Sequence, residues 1–529
     1  MKTHMHKPIE LQNTTTVTKS IGRAPWRNGF FLIAFVVACF ALSPHARAVC
    51  QEGCLTNQNT VLGDDALLNN MSTDNTAIGF DALHSNTAGN SNTATGANAL
   101  LSNTTGSANT ATGAVALYSN TTGGSNTATG TSALYSNTAG HDNTATGTGA
   151  LNANTIGFYN TANGDSALAY NTTGNSNTAS GTSALFFNTT GNSNTASGLD
   201  ALYSNTTGFN NTATGQGALN LNTTGNNNTA TGLDALYFNT TGFYNTANGV
   251  LALEHNTTGI QNTANGYQAL NGNTTGFYNT ANGVAALYSN IIGFNNTATG
   301  QGALFSNGGN SNTADGFNAL GSNTSGSFNI AVGNAAGASL TTGINNIDIG
   351  NHGVAGESKT IRIGTIGTQR TTFIAGISGA TVPTGVAVIV DSSGHLGTTT
   401  SSARFKDAIQ PMDKVSEAIL ALKPVTFHYK PELDPDGIPQ FGLVAEEVEK
   451  VNPALVARDD EGKVYTVRYE AVNAMLLNEF IKEHRKVQEQ EKRIDALTAQ
   501  LKEQAAQIQK VCAQVQLSKP AARTVLNNQ

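Results

Sequence analysis

The chain has 529 residues, of which 57 are Gly and 11 are Pro; only 12% are charged and the formal net charge is −7. So little charge excludes charge-driven disorder, and the shortage of large apolar residues excludes one thick core, so a repetitive β architecture with a thin core fits better. No Lys or Arg occurs from Val49 to Ser358, and a surface without cations cannot displace phosphate counterions, which excludes nucleic acid as a partner.

An export signal comes first. Lys19, Arg23 and Arg27 precede an apolar run from Gly29 to Leu42, and Ala46-Arg47-Ala48 follows with the small-x-small pattern of a cleavage site. The run is too short for a comfortable membrane span, so residues 1–48 read as a signal peptide. The mature chain is then exported, to be held at the cell surface or outer membrane or secreted. Residues 49–58 form an N-terminal segment with Cys50 and Cys54. An exported chain permits a local disulfide between them. Two cysteines are too few for a zinc site, and no metal or cofactor is assigned.

Residues 59–350 are repeats. Asn-Thr-Ala-x-Gly recurs with its Gly at 79, 96, 113 and every seventeenth residue to 300; Gly316 and Gly333 continue the series after a one-residue deletion near Asn307. Each unit continues with Ala-Leu and then Asn-Thr before a second Gly. Gly and Asn tolerate the left-handed backbone of tight corners. Brief Thr/Ala/Leu alternation between corners predicts two short strands and two turns per coil of a β-solenoid. Stacked coils then align Ala, Leu and Asn columns, and Asn columns can form hydrogen-bonded ladders. The core of such coils is thin, so trimerisation is expected to add burial. These repeats resemble the left-handed β-roll head of trimeric autotransporter adhesins, which implies three chains.

One column of the repeat is aromatic in many units: Tyr118, Tyr135, Phe186, Tyr203, Tyr237, Tyr288 and Phe305. Such a stripe either packs between protomers or faces a ligand, such as a glycan or cell surface, on which rings stack.

Residues 351–400 read as a β-rich neck, with strands expected at Thr360–Ile363, Phe373–Ile377 and Val386–Val390 between Gly-rich turns. Beyond it lie a small α+β domain over 401–479, a coiled coil over 480–516 and a disordered tail over 517–529. The seam of the coiled coil is Phe480, Val487, Ile494, Leu501, Ile508 and Val515, seven residues apart, with Leu497, Gln504 and Val511 at the alternate positions.

The stretch Ser401-Ser402-Ala403-Arg404-Phe405-Lys406-Asp407-Ala408-Ile409 resembles the opening motif of serine peptidase family seventy-four, the intramolecular chaperone auto-processing domain of phage endosialidases, tailspikes and tail fibres. Leu422 to Tyr429, Phe441 to Val448 and Tyr469 to Val472 extend the resemblance. It implies a homotrimer and a single-turnover Ser–Lys endopeptidase that cuts its own chain between Thr400 and Ser401. The nucleophile would be Ser401 and the base Lys406, since a Ser hydroxyl needs a nearby base and a buried Lys can serve. The family's usual Asp after the nucleophile is Ser402 here, so two hydroxyls are candidates. His428 and the Asp434–Gly437 turn read as structural. The expected function is an exported trimeric fibre or adhesin-like surface protein whose chaperone drives assembly and then cleaves itself away. The alternatives are a prophage-derived tail-fibre-like receptor-binding protein and, less favoured, a glycan-active enzyme, for which the repeats offer no paired carboxylates.

Overall fold

The computed structural model describes residues 50–55, 57–369, 371–377, 380, 382–391, 393–459 and 461–518. The export segment, the side chains that would form the Cys50–Cys54 bridge, and the tail from 519 lie outside the described residues. The chain divides into two compact units at Thr365/Ile366.

The first unit is a parallel β-solenoid. Cys50–Leu55 pairs antiparallel with Asn59–Asp64, and each later coil adds one strand in parallel register, Thr76 beside Thr93 beside Thr110 and so on. The twenty strands form a single sheet that ends at Ile361–Ile363. The deletion near Asn307 is absorbed outside the strands, because Thr297 still pairs with Thr313.

Each coil carries one three-residue strand, not the two expected from alternation. The Ala-Leu segment is instead bent by two consecutive turns: Ala99 N–H donates to Gly96 O, and Asn103 N–H to Leu100 O. Asn98 and Leu100 sit at φ 57° and 53°, left-handed values that cost a leucine roughly 1–2 kcal/mol. Stacking offsets that strain. Leu100, Ser102 and Thr104 donate their N–H groups to Ala116, Tyr118 and Thr121 of the next coil at 2.9–3.1 Å. The ladder therefore runs around the coil even where no strand forms. Gly96 is required by close approach: at φ 135° a Cβ there would lie 2.5 Å from the Gly113 carbonyl.

Ala94, Ala99 and Leu100 and their equivalents in the neighbouring coils are fully buried, as are the asparagine columns of Asn92 and Asn103. Asn103 Nδ2 donates to Asn86 Oδ1 of the preceding coil at 2.7 Å and to Gly106 O at 2.9 Å, while its own Oδ1 accepts from Asn120. Asn92 Nδ2 donates to Asn75 Oδ1 and also to Gly106 O. Buried amides satisfied in this way avoid the penalty of an orphaned polar group. One chain thus seals its own thin core, and the burial expected from trimerisation is not needed inside the coils.

The array ends where its grammar fails. Leu340 stands where the next Asn would be, which leaves Asn323 Oδ1 without a donor. Asp348 stands in the Ala column beside Arg362, buried, with neither carboxylate oxygen paired. Arg362 instead grips Glu357 at 2.7 Å. Burial, and then repulsion from Glu357, push the Asp348 pKa up to about 6.

The expected separate β-rich neck mostly fails to form. Ile361–Ile363 belongs to the solenoid sheet, Phe373–Ile377 is turn and irregular chain, and of Val386–Val390 only Ile389–Val390 pairs, with Leu396–Gly397. A strand needs a neighbour for its backbone and a surface for its side chains; here Phe373 is 93% exposed. Two further hairpins follow, Val425–Phe427 with Gln440–Gly442 and Val456–Arg458 with Val464–Val467. A short helix, Ala445–Val451, and a long one, Tyr469–Leu517, complete the second unit. Its core is small: Val448, Leu455, Val456, Val467 and Met475.

Candidate functional site

The Ser401–Lys406 stretch folds into one tight turn. A 3-10 helix spans Ala403–Phe405, closed by Phe405 N–H donating to Ser402 O and Lys406 N–H to Ala403 O. That reversal folds the lysine back along the chain, and Lys406 Nζ donates to Ser401 Oγ at 3.3 Å. The five-residue spacing therefore places amine and hydroxyl within hydrogen-bond reach. Ser402 precedes the helix in an extended conformation without a side-chain capping bond. The contact thus favours Ser401 over Ser402. The Arg404 guanidinium lies 4.5 Å from the centre of the Phe405 ring.

Thr400, Ser401 and Lys406 are all exposed in the single chain. As an ammonium, Lys406 donates to Ser401; to act as a base it must lose its proton and accept from the hydroxyl. Desolvation is what lowers a lysine pKa far enough for that, and no described side chain of this unit covers the pair.

Elsewhere in this unit lies an apolar groove of about 720 Å³, open to solvent and lined by Ile419, Leu422, Val425, Phe441, Leu443 and Leu476. One edge is anchored by a polar knot: buried Ser416 bonds Glu479, Asn478 and Lys482 of the long helix, and Lys482 pairs with Glu479 at 2.6 Å. No local pattern signals this knot, because its partners lie more than sixty residues apart. His428 has the structural place expected of it, with Nδ1 at 2.8 Å from Gly437 O across its hairpin. Asp434 Oδ2 accepts from Ile438 N–H at 2.8 Å and closes the turn.

Along the long helix every seam residue is solvent-exposed: Phe480, Val487, Ile494, Leu497, Leu501, Ile508, Val511 and Val515. Among the described residues, nothing in the unit covers this apolar stripe, which runs from Phe480 to Val515 along the 49-residue helix.

The aromatic stripe of the solenoid is assembled where its members are consecutive. Tyr118 stacks on Tyr135, Phe186 on Tyr203 and Tyr288 on Phe305, with centroids 5.0–5.1 Å apart and planes within 11°. Tyr237 instead meets Phe238 edge-on. A second ladder missed in the sequence follows the other corner of the coil, with Phe277 stacked on Phe294. Stacking consumes the ring faces that a sugar would need, which weighs against ligand stacking along the paired rungs.

No curated protein matches the chain. Residues 401–457, which hold the Ser401–Lys406 pair and both sides of the apolar groove up to Leu443, match the family described as chaperone of endosialidase.

Proposed function

We propose that the protein is an exported homotrimeric fibre whose C-terminal module gathers three chains and then severs itself between Thr400 and Ser401. The observation that carries this reading is the exposed heptad seam on Tyr469–Leu517. Leaving so regular an apolar stripe in water is unfavourable, and supercoiling with two further copies buries it. The open groove and the bare apolar side chains of the neck support the same conclusion, and the family match supports three copies.

Assembly supplies the desolvation that the single chain lacks. Once Lys406 is covered and neutral, it takes the Ser401 hydroxyl proton as Oγ attacks the Thr400 carbonyl carbon. The Thr400–Ser401 C–N bond breaks, the proton passes to the Ser401 nitrogen, and an ester links the Thr400 acyl group to Oγ. Water hydrolyses that ester, leaving a Thr400 carboxylate and a free Ser401 amine. Cleavage then waits for folding, and loss of the template leaves the fibre kinetically trapped. The solenoid is the part that meets a surface or glycan. Its lack of Lys and Arg from Val49 to Ser358 argues against recognition and hydrolysis of an acidic sugar.

Mass analysis of the purified chain tests this directly. The parent gives two fragments meeting at Thr400/Ser401, Ser401→Ala and Lys406→Ala stay intact, and Ser402→Ala still cuts. An intact parent in a trimer of verified mass would sink the cleavage step while sparing the assembly step.

A further inference from the structure

Along most of the solenoid the strand points polar side chains outward. Its first residue is Thr in every strand from Thr76–Ile78 to Thr313–Asp315, and after Ile78 its third is Thr, Ser, Asn or Asp. The last three strands change this. Ile330–Val332, Ile347–Ile349 and Ile361–Ile363 carry Ile or Val at both positions, while Ala331 and Asp348 between them are buried. The register stacks Ile330, Ile347 and Ile361 in one column and Val332, Ile349 and Ile363 in another. Six branched apolar side chains therefore form one patch on the sheet face, with Ile361 and Ile363 at 66% and 73% exposure. The coil does not need them for its own stability, since threonine holds the same places in the preceding coils.

We propose, building on the trimeric reading above, that this patch is a contact between copies of this chain, and that the solenoids are fastened to one another there alone. The Thr-rich strand faces of the earlier coils then make no dry contact, and three arms run free from a common base. A second copy is the favoured occupant for three reasons. Columns that lie close to a three-fold axis meet their own copies there, so an uncharged apolar patch on each chain suffices. Six side chains cover less than the roughly 800 Å² per partner that holds an independent complex, so the patch needs an adjoining interface. The chain continues from Ile363 directly into the neck, whose Phe373, Ile374 and Ile377 are equally bare.

Cross-linking of the full chain separates base from arm. In a Cys512→Ser background, Ile349→Cys and Thr214→Cys place a thiol in the same outward column, one in the patch and one mid-array. Mild oxidation of a chain that light scattering shows to be trimeric should give at least about tenfold more covalent dimer from Ile349→Cys than from Thr214→Cys, as a local contact requires. Equal yields at both sites overturn the free arms, and no cross-link at 349 overturns the patch as a contact. A monomeric parent removes the trimeric reading and this inference with it. If Ile349→Cys fails to fold, Val332→Cys, one coil earlier in the same column, takes its place.

Discussion

Leu202 in the solenoid and Val487 in the long helix are both apolar residues repeated at a fixed period, yet Leu202 is fully buried and Val487 is 41% exposed. The solenoid turns its period inward: each coil closes on itself and stacks on the next, so one chain completes its core. Among the described residues, the helix packs its period on nothing in its own unit. One module thus closes its core within a single chain, and the other leaves its apolar stripe bare. On the trimeric reading proposed above, an assembly chaperone need not supply burial to the coils, only the register in which the first of them form, a step that slow non-local pairing makes worth templating.

The largest effect is expected from charging the seam. Ile494→Glu together with Leu501→Glu should abolish the trimer, reducing the mass by light scattering to one chain, and should abolish cleavage with it. Solenoid amides that have formed should keep their hydrogen-exchange protection. Loss of that protection in the monomer would show that the coils depend on their neighbours after all.

Next in size is an interior asparagine. Asn205 Nδ2 donates to Asn188 Oδ1 at 2.8 Å and to Gly208 O, and its Oδ1 accepts from Asn222. Asn205→Ala orphans buried groups on both neighbouring coils, and at about 1–3 kcal/mol for each such group it should destabilise the array by about 2–5 kcal/mol. Denaturant melting checks this. An effect as small as that of an exposed Thr→Ala would mean that the ladder is not what seals the coil.

Much of this contrast was legible beforehand. A strict seventeen-residue period announces itself, because stacked coils impose one residue spacing along their length; the apolar residues spaced seven apart from Phe480 to Val515 are equally plain, though the single chain shows no supercoil. The Ser401–Lys406 pair was legible only through the family resemblance, since on spacing alone Ser401 reads as linker and Lys406 as surface charge. The single strand per coil was not: nothing in Ala-Leu reveals that Leu100 adopts a left-handed backbone, since that conformation is held by the next coil and not by leucine's own preference. The Ser416 knot and the second aromatic ladder were equally hidden, because their partners meet only through tertiary structure. The β-rich neck is only partly formed: Phe373–Ile377 and Val386–Val388 pair with nothing among the described residues, because apolar alternation alone does not supply the neighbouring strand that pairing needs.

Among the described residues, buried polar atoms go unpaired near the C-terminal edge of the solenoid, and pH should expose this. Asp348 holds its proton in the folded state up to about pH 6, against an ordinary value of 3.8. Between those values the folded state binds more protons than the unfolded chain, so stability of this edge falls as pH rises from about 4 to 6 and stays level above. The difference is about 1–3 kcal/mol. Hydrogen exchange at Ile347–Ile349 and Ile361–Ile363 should therefore quicken relative to mid-array amides across that range, after correction for intrinsic rates. Asp348→Ala, which restores the residue of the other coils, should remove the dependence.

The smallest effect concerns the outer corner, where the two modules differ least, since both expose aromatic or apolar rows to water. Tyr203 stacks on Phe186 at 5.1 Å and meets Phe187 edge-on at 5.2 Å. Such pairs contribute about 0.5–1.5 kcal/mol beyond the area they bury, so Tyr203→Ser should lower array stability by about that much. If the ladder is a structural rung, glycan-array binding by the assembled fibre should not change in this variant. If binding is lost while stability is kept, the stripe faces a ligand. The rings would then have to offer their edges or part from one another, because in the stacked arrangement their faces already belong to the neighbouring coil.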